Sequence, residues 1–469
     1  MTAVERLVFA YNGLVLAYFL LVNLTYGVLI YWAAREARNH VRRGRMERVD
    51  ELMRSPLAPG VSIVVPAFDE EVGIVDAVRA LLALRYPRFQ VLVVSDGSTD
   101  ATLERLSEAF SLEPFPRVYV PSIPTQPVRA ILRSRSEPRL LVVDKENGGK
   151  ADALNCGINL ADEELVCSVD ADAILDRDAL LHSCRPFVDD PERVVAAGGI
   201  VRIGNGCRID RGHVDAIELP GSRLASIQVV EYLRAFLAAR SGWSRMNALL
   251  IISGAFGIFR RDLLRAVGGY STQTVGEDGE LVVRLHRAML ERRRPYRITF
   301  VPEPVCWTEG PETLGQLRRQ RTRWHRGLAE ILWTHRRMIC NPRYGRVGML
   351  ALPVLVALEL LGPLVELSGL AAVVAGWQMG ILSTAFAAAF GAVAFSFGLL
   401  LSVSALVLDE SSQRRYPRLP QLARLLAYGF VEQLGYRQLL AAWRVWAMLE
   451  LARGRRGWGE MRRRGLARA

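Results

Sequence analysis

Long apolar stretches lie near both ends of the chain, and short ones lie between them. The long stretches run over Leu7–Ala34, Met349–Trp377 and Met379–Leu408. Each is long enough to cross a bilayer whose hydrocarbon core is roughly 30 Å thick. The pattern therefore predicts three membrane-spanning helices, one at the start of the chain and two in its last third.

The middle of the chain alternates short apolar runs with segments of helical periodicity. Five runs are predicted as strands: Val61–Pro66, Gln90–Ser95, Leu140–Val143, Leu165–Val169 and Val194–Ile203. Nearly continuous apolar runs are typical of parallel strands that are covered on both faces. Strands that alternate with helices favour a doubly wound α/β domain. The proline-rich segment Leu112–Pro138 is expected to be an irregular surface excursion without an assigned role.

Acidic residues follow the predicted strands. Asp96 ends one strand, and Asp170 and Asp172 follow another in the sequence VCSVDADAIL. Ligands of open α/β sheets bind at the carboxyl ends of strands, and Asp-x-Asp can point two carboxylates to one side. Two hard oxygen ligands suit Mg²⁺ or Mn²⁺ with a bound diphosphate. On these residues alone, an Asp-rich turn after a strand is the commoner arrangement.

Two later segments are further candidates for binding or catalysis. Ser253–Phe259 is rich in small residues, which allow a ligand or a backbone to approach closely. Glu277 and Asp278 stand between two glycines just before a predicted helix. Such a pair can act as a base or can simply be stabilised by the helix dipole.

A basic helix is predicted over Thr313–Met338. Within it Gln320, Arg323 and Trp324 share one face. A helix of this kind can be a solvated cationic face, but an arginine beside an indole also suits a diphosphate or a sugar ring.

Composition narrows the class of protein. The 469 residues carry a net charge of +12, and 51% of them are hydrophobic. Because the basic runs flank apolar stretches, an anionic membrane explains the charge better than nucleic acid does, and no nucleic acid partner is expected. Six cysteines without a CxxC pair indicate reduced, mostly buried thiols.

Lysine usage points to one short stretch. Lys145 and Lys150 are the only lysines in a chain that otherwise uses arginine, and both lie in DKENGGK. A lysine at position 150 therefore suggests a compact positive charge for phosphates.

Charge also sets the expected orientation. The basic segment Arg35–Arg48 follows the first span, so the N-terminus is expected outside and the α/β domain in the cytoplasm. Gln421–Leu451 is long enough to span, but spanning would export the arginine-rich tail, so it is expected to lie in the interface or to re-enter. Glu359 and Glu366, inside an apolar stretch, should pair within the helix packing or face a polar path.

Three regions follow from these patterns. Residues 1–55 are the transmembrane anchor and its basic flank, and residues 56–340 are the cytoplasmic α/β domain. Residues 341–469 supply the C-terminal membrane helices, the interfacial helix and the basic tail.

Six short motifs occur in order between Val61 and Leu332: PAFDEE, SDGSTD, NGGKADALN, DAD, GED and QRTRW. Together they resemble the membrane-integrated family 2 glycosyltransferases, which include synthases of cellulose, hyaluronan, chitin oligomers and poly-N-acetylglucosamine. The resemblance implies a GT-A fold, α/β and Rossmann-like with a mostly parallel sheet, beside an α-helical transmembrane region. It also implies a UDP-sugar donor and Mg²⁺ or Mn²⁺.

The resemblance assigns donor-binding roles residue by residue. Asp96 would hydrogen-bond the uracil, and Phe68 with Glu70 would line the base and ribose. Asp170 and Asp172 would lie at the diphosphate, with Asp172 the nearer metal ligand. The motif that closes over the nucleotide and the acceptor end corresponds to Gln320, Arg321, Arg323 and Trp324.

Asp278 matches the family's general base, with Glu277 as an orienting neighbour. The chain departs from the family pattern at Asp69, where Asn is common, and at Gly276, which replaces Thr in Thr-Glu-Asp. The acids remain, so the assignment of the base is little affected.

The expected activity is inverting transfer from UDP-N-acetylglucosamine or UDP-glucose to a growing β-linked polysaccharide at the cytoplasmic face of the inner plasma membrane. Transfer of one or a few sugars to a lipid or short acceptor is the alternative, and a regulatory protein with an inactive domain is a third. Membrane lipids are expected partners. The sugar, the linkage, the oligomeric state and any export partner stay open.

Overall fold

The computed structural model describes residues 3–46, 52–53, 55–210, 212–412 and 419–453. Arg48, the loop residues 413–418 and the basic tail from residue 454 onward lie outside the described residues.

The described chain forms two compact units. One contains Met1–Ala37, Ser222–Gly242 and Pro311–Met461, and the other contains Arg38–Gly221 and Trp243–Gly310, each as far as it is described. We call them the helical unit and the sheet unit. The three regions expected from the sequence stay a prediction.

The strands of the sheet unit are β1 (Val61–Ala67), β2 (Phe89–Asp96), β3 (Leu112–Pro114), β4 (Val128–Ser134), β5 (Leu140–Lys145), β6 (Leu165–Val169), β7 (Ile174–Leu175), β8 (Val194–Ile203), β9 (Arg208–Asp210), β10 (His213–Ala216), β11 (Phe256–Arg260) and β12 (Arg297–Thr308). Ten of them form one sheet in the order β3-β4-β5-β2-β1-β6-β11-β8-β12-β7, and β9 pairs with β10.

The centre of the sheet is parallel, as the apolar runs predict. Strands β5, β2, β1 and β6 run in one direction, and residues such as Val64 and Val93 are fully buried. The remainder is mixed, because β11 is antiparallel to both β6 and β8, while β12 is parallel to β8. The carboxyl ends of β1, β2, β5 and β6 therefore share one edge.

The segment predicted to be irregular contributes two strands. Within 112–138, β3 and β4 extend the sheet by antiparallel pairing, and β4 pairs with β5. Asn159 ties the intervening loop to the domain, since its side chain bonds both the N–H and the C=O of Ile123 at 3.0 and 2.8 Å. Edge strands of this kind carry a weak sequence signal because one side lacks a partner.

The α-helices are α1 (Ala3–Met46), α2 (Ile74–Leu82), α3 (Thr102–Phe110), α4 (Lys150–Leu160), α5 (Ala179–Asp189), α6 (Arg223–Tyr232), α7 (Ser241–Arg245), α8 (Arg261–Ala266), α9 (Glu277–Glu291), α10 (Leu314–Thr334), α11 (Leu352–Val354), α12 (Gly362–Gln378), α13 (Thr384–Ser412), α14 (Leu419–Val431) and α15 (Arg437–Ala452). Shorter π-helical segments are Leu233–Arg240, Val347–Ala351, Leu355–Leu360 and Glu432–Tyr436, and 3₁₀ turns are Arg336–Met338 and Pro342–Tyr344.

Two helical stretches among the described residues, Glu5–Glu36 and Thr384–Glu410, are long and apolar enough to cross a membrane. Val347–Leu360 and Gly362–Gln378 form a pair bent by 44° that gives a third crossing if it is one span. In length and composition these correspond to the three predicted spans. The segment 421–451 is interrupted, since Leu434 and Gly435 have non-helical backbone angles.

Charged residues within these apolar helices are paired inside the helical unit. The Tyr26 hydroxyl donates to Glu359 Oε1 at 2.7 Å, and Arg444 Nη1 lies 3.8 Å from Glu359 Oε2. Arg437 Nη2 lies 3.5 Å from Glu366 Oε2. The expected pairing of both glutamates in helix packing is confirmed.

Candidate active site

The loops after β1 and β2 are held together by reciprocal hydrogen bonds. Asp69 Oδ1 accepts from the Thr99 N–H at 2.7 Å, and Glu71 Oε2 accepts from the Ala101 N–H at 3.2 Å. In return, Asp100 Oδ2 accepts from the Glu71 N–H at 3.0 Å. The motifs PAFDEE and SDGSTD thus form one rigid surface at the carboxyl edge of the sheet.

The conformation at position 69 accounts for the departure from the family pattern. Asp69 has a φ of +52°, in the left-handed region that Asn and Asp adopt more readily than other residues with a side chain. Its neighbour Phe68 is 50% exposed, so the ring is available for a stacking contact. The Glu70 N–H is fixed by Thr102 Oγ1 at 2.9 Å. The roles of Phe68 and Glu70 at the base and ribose stay predictions.

Hydrogen bonding also sets the charge state of this surface. Partial burial raises the pKa of Asp100, but hydrogen bonds from the Thr102 side chain and from the backbone amides of Glu71 and Thr102 outweigh it. The net pKa of Asp100 lies below its usual value, which keeps the cap of α3 ionised.

A buried ion pair lies beneath the Gly-Gly turn. Lys145 Nζ lies 2.6 Å from Asp96 Oδ1 and 2.6 Å from Asp152 Oδ1, and the Lys145 side chain is fully buried. The N–H groups of Gly148 and Gly149 donate to the two Asp96 oxygens at 3.0 and 2.7 Å. Burial lowers the pKa of Lys145, but its hydrogen bonds to the two aspartates raise it by more.

The main observed role of Asp96 is therefore to hold the turn that precedes Lys150. The predicted hydrogen bond from uracil to Asp96 would use the carboxylate lone pairs that these contacts leave unoccupied. This hydrogen bond stays a prediction. Sequence reasoning missed Lys145 and Asp152 as site residues. The signal that could have found Lys145 was the pairing of the only two lysines in one stretch.

Glycine is required where the loop after β2 meets the Gly-Gly turn before α4. Gly97 has a φ of +70°, and a Cβ there would lie 2.8 Å from the backbone nitrogen of Asn147. Gly149, with φ +87° and ψ 167°, occupies a region that essentially only glycine adopts. The turn can therefore approach β2 closely enough for Asp96 to bind its amides.

Lys150 begins α4 and reaches a cluster of carboxylates. Its Nζ lies 2.5 Å from Asp170 Oδ1, 3.9 Å from Glu277 Oε1 and 3.4 Å from the carbonyl oxygen of Gly254. Burial lowers the pKa of Lys150, but the charges of Asp170, Glu277 and Asp278 raise it to a net value above its usual one. The ammonium is charged at neutral pH.

Asp278 lies in the first turn of α9 and faces the small-residue segment 253–259. Its Oδ2 accepts from the Gly254 N–H at 2.9 Å, and its Oδ1 accepts from the Gly279 N–H at 2.7 Å. A Cβ on Gly254 would lie 3.2 Å from Lys150 Nζ and 3.4 Å from Asp278 Oδ2. The absence of a side chain there keeps room for Lys150 and Asp278 side by side. Each carboxylate oxygen retains a lone pair for a further donor.

The donor set at the end of β6 fits a divalent cation completed by a ligand. Both carboxylate oxygens of Asp172 are buried. Burial raises the pKa of Cys306 well above its usual value, and the charges of Asp170 and Asp172 raise it further. The described residues contain no group of three His, Cys, Asp or Glu side chains arranged to hold a metal. A two-carboxylate set suits Mg²⁺ or Mn²⁺ whose other ligands are phosphate oxygens and water.

The QRTRW motif lies on α10 in the helical unit. Arg321 is buried, and its Nη2 donates to Glu231 Oε2 at 2.8 Å, which also accepts from the Tyr436 hydroxyl at 3.0 Å. The Arg321 guanidinium lies 4.5 Å from the ring centroid of Trp324, and Trp324 is 43% exposed.

The residues of the motif differ in how far they are buried. Gln320 and Arg323 are partly exposed, whereas Arg321 is committed to an ion pair within the protein. The predicted closure role is therefore best supported for Arg323 and Trp324. Convergence of this motif with Asp96, Asp172 and Asp278 stays a prediction.

A family model described as Glycosyltransferase like family 2 matches residues 59–327, which is more than half of the chain. The chain belongs to this family. The match covers the complete set of motifs from PAFDEE to QRTRW and confirms the resemblance drawn from them.

Relatives within the glycosyltransferase family 2 are similar over the same region. The poly-beta-1,6-N-acetyl-D-glucosamine synthase of Staphylococcus aureus strain COL is 30% identical over 307 residues, 65% of this chain and 62% of the relative. The synthase of the same name from Staphylococcus epidermidis is 30% identical over 274 residues, 58% of this chain and 55% of the relative. The chain thus spans less than two thirds of the length of these curated relatives.

The fold of this family 2 chain is similar to that of a solved enzyme. The mannosyltransferase PcManGT from Pyrobaculum calidifontis, determined with GDP-Man and Mn²⁺, aligns over 96% of this chain and 99% of its own, with a TM-score of 0.53 and 18% identity. This likeness supports the α/β GT-A class with added helices, which is confirmed. The sheet is more mixed than the mostly parallel one that was predicted.

Proposed function

We propose that the protein is an inverting glycosyltransferase that moves a sugar from a UDP-sugar to a hydroxyl of a growing β-linked polysaccharide. The observation that carries this proposal is the arrangement around Gly254, where Lys150 lies between Asp170 and the acid pair Glu277–Asp278. A phosphate-binding cation beside a carboxylate base is what displacement of a diphosphate from a sugar requires.

The donor would lie along the carboxyl edge of the sheet. Phe68, Glu70 and Asp96 would hold the uridine, and the ammonium of Lys150 would lie at the diphosphate. When bound at Asp170 and Asp172, Mg²⁺ or Mn²⁺ would neutralise charge on the leaving diphosphate. Support for a divalent ion comes from the carboxylate pair and from the Mn²⁺ in the mannosyltransferase of similar fold.

Bond changes at the sugar assign the remaining roles. The acceptor oxygen forms a bond to the anomeric carbon while the bond from that carbon to the diphosphate breaks. The acceptor proton passes to Asp278, and UDP leaves with the bonding electron pair. Glu277 would orient the side chains of Lys150 and Asp278. One displacement inverts the anomeric centre, and a positioned base contributes about 10²- to 10⁴-fold in rate.

N-acetylglucosamine is the favoured sugar, because the relatives that are 30% identical are named as synthases of its polymer. The acceptor end would be closed by Arg323 and Trp324, which combine a cation with an exposed indole. With α1 as a membrane anchor and the sheet unit in the cytoplasm, synthesis would occur at the cytoplasmic face of the membrane.

Non-processive transfer to a lipid or a short acceptor is the second candidate. The observation that favours it is the small number of apolar helices, two or at most three candidate spans among the described residues. So few spans leave little protein to enclose a polymer.

A donor panel with product sizing tests both candidates. Membranes containing the protein are supplied with UDP-N-acetylglucosamine, UDP-glucose and GDP-mannose, and nucleotide release and product length are measured. We expect UDP release with UDP-N-acetylglucosamine and a long product. Products of one or a few sugars would favour the second candidate, and no nucleotide release with any donor would contradict both.

A further inference from the structure

A basic pocket lies in the sheet unit, away from the candidate active site. Its volume is about 260 Å³. It is lined by Arg193, Ser244, Arg245, Asn247, Tyr296 and Arg297. Three of these described lining residues are arginines and none is acidic, so the pocket favours an anion.

Strand direction separates the pocket from the catalytic cluster. Because β11 is antiparallel to both β6 and β8, strand β8 runs in the same direction as β6, and β12 is parallel to β8. Arg193 directly precedes β8, and Arg297 is the first residue of β12. The pocket therefore lies at the amino edge of the sheet, whereas Asp96 and Asp170 lie at the carboxyl edge.

The pocket walls are fixed by the protein before any ligand arrives. Asn247, with φ +52°, donates to the Tyr296 carbonyl at 3.0 Å and accepts from the Ile298 N–H at 2.9 Å. Ser244 Oγ accepts from the Phe300 N–H at 2.9 Å. The Arg297 N–H donates to the Arg193 carbonyl at 2.7 Å. Pre-organised walls lower the conformational cost of binding.

The side chain of Tyr296 is held in place by hydrogen bonds through His286. Its hydroxyl lies 2.7 Å from His286 Nδ1, and His286 Nε2 lies 2.8 Å from the Leu249 carbonyl oxygen. Burial lowers the pKa of His286 to about 4, so the ring is neutral near neutral pH. A neutral His286 ring donates a hydrogen bond from Nε2 to the Leu249 carbonyl and accepts one at Nδ1 from the Tyr296 hydroxyl. These bonds fix the position of Tyr296 in the pocket wall.

The charge and the volume of the pocket indicate which ligand it suits. Arg193 Nη2 is paired with Asp190 at 2.9 Å, but three exposed arginines, Arg292–Arg294, lie two to four residues before the pocket residue Tyr296. Pockets for drug-sized ligands are about 300–1,000 Å³. A cavity below that range suits a single phosphate group better than a nucleotide sugar, and guanidinium forks match phosphate geometry.

We propose that this pocket binds a phosphate group, as the free anion or as the headgroup of an anionic phospholipid, and so steadies the helix that bears the catalytic acids. Helix α9 begins at Glu277 and ends at Glu291, shortly before Tyr296. Its fifteen residues span about 22 Å. One helix thus bears both Asp278 and His286, and His286 holds the pocket residue Tyr296.

Hydrogen–deuterium exchange of the full chain in dodecyl maltoside with EDTA tests the proposal without using enzymatic turnover. One arm adds inorganic phosphate, and the other adds dihexanoyl-phosphatidylglycerol below its micelle concentration. Saturable protection of peptides covering 243–247 and 292–297 is expected in at least one arm, and the arm that responds identifies the source of the phosphate. Absence of protection in both arms would overturn the proposal.

Matched variants test whether the anion that protects these peptides binds in the pocket. Arg245→Gln and Arg297→Gln should each weaken protection about tenfold or more, because each removes a charge-assisted contact to the anion. Arg245→Lys should retain protection, and Arg208→Gln, on the separate β9–β10 hairpin, should match the wild type. Unchanged exchange in β1 and β2 shows that each variant is folded. Protection that survives both Gln variants would place the anion elsewhere and reject the pocket.

Discussion

At the scale of single residues, the candidate site depends on one ammonium group among several carboxylates. Lys150 bonds Asp170 at 2.5 Å and lies near Glu277 and Asp278. Clustered like charges disfavour ionisation of one another unless a cation lies between them. Lys150 therefore offsets the negative charge of these carboxylates at the position where the proposed diphosphate would lie.

Replacing the proposed base separates binding from transfer. Asp278→Asn keeps one oxygen that can accept the Gly254 N–H and gives up only the contact to the Gly279 N–H, so the local backbone should persist. We expect sugar transfer to fall about 10²- to 10⁴-fold while UDP affinity changes little. UDP release with the preferred donor measures transfer, and calorimetric titration with UDP measures binding.

The same substitution elsewhere supplies the control. Asp262 stands in the first turn of α8 and is exposed. Asp262→Asn should leave both transfer and UDP affinity at wild-type values. Near wild-type turnover of the Asp278→Asn enzyme would remove Asp278 from the mechanism.

Residue-level reasoning from the sequence is most direct where a motif ends a strand. Asp96 and Asp170 stand out because acids after apolar runs gather at one sheet edge, whereas Asp278 stands out as an acid between two glycines before a predicted helix. Lys145 and Asp152 were missed because a buried ion pair leaves no periodic signal in the sequence. Such a pair is recognised only when β5 and α4 are placed against β2.

At the scale of elements, the parallel centre of the sheet was predictable and its edges were not. Runs such as Val61–Pro66 are apolar throughout because both faces are covered. Strand β11 overlaps the small-residue segment Ser253–Phe259, which the sequence marks as a place where a ligand could approach, although Phe256 and Ile258 are fully buried in the sheet. Small residues carry little strand preference, so only tertiary pairing reveals such a strand.

Helix α10 contains two neighbouring arginines with different surroundings. Arg321 is buried against Glu231, while Arg323 is partly exposed. Arg321→Gln leaves the Glu231 carboxylate with a weaker partner and should cost about 3–5 kcal/mol of stability. Arg323→Gln should leave stability unchanged and lower turnover. Thermal unfolding in detergent and UDP release, measured on both variants, give the comparison.

A double variant checks that the ion pair is the cause. Adding Glu231→Gln to Arg321→Gln removes the uncompensated charge, so part of the lost thermal stability should return. If instead Arg321→Gln unfolds at the wild-type temperature and loses turnover, Arg321 belongs to nucleotide closure, as the family motif implies.

At the scale of the whole molecule, the apolar helices and their flanking charges predict an orientation in the membrane. The first candidate span, Glu5–Glu36, leads into a basic segment, which the positive-inside tendency places in the cytoplasm. With the bent pair counted as one span, it and Thr384–Glu410 would then cross outward and back. This order would return the chain to the cytoplasm before α14.

The break in the last helical segment predicts on which side of the membrane the C-terminus lies. Leu434 and Gly435 interrupt 419–452, and α14 and α15 do not pass as a span by length and composition. A fluorescent protein fused to the C-terminus, which matures only in the cytoplasm, should therefore fluoresce. Alkaline phosphatase fused at the same position should be inactive there and active when fused to the N-terminus. Phosphatase activity at the C-terminus would mean that 419–452 crosses the membrane, because only an additional span can export the arginine-rich tail.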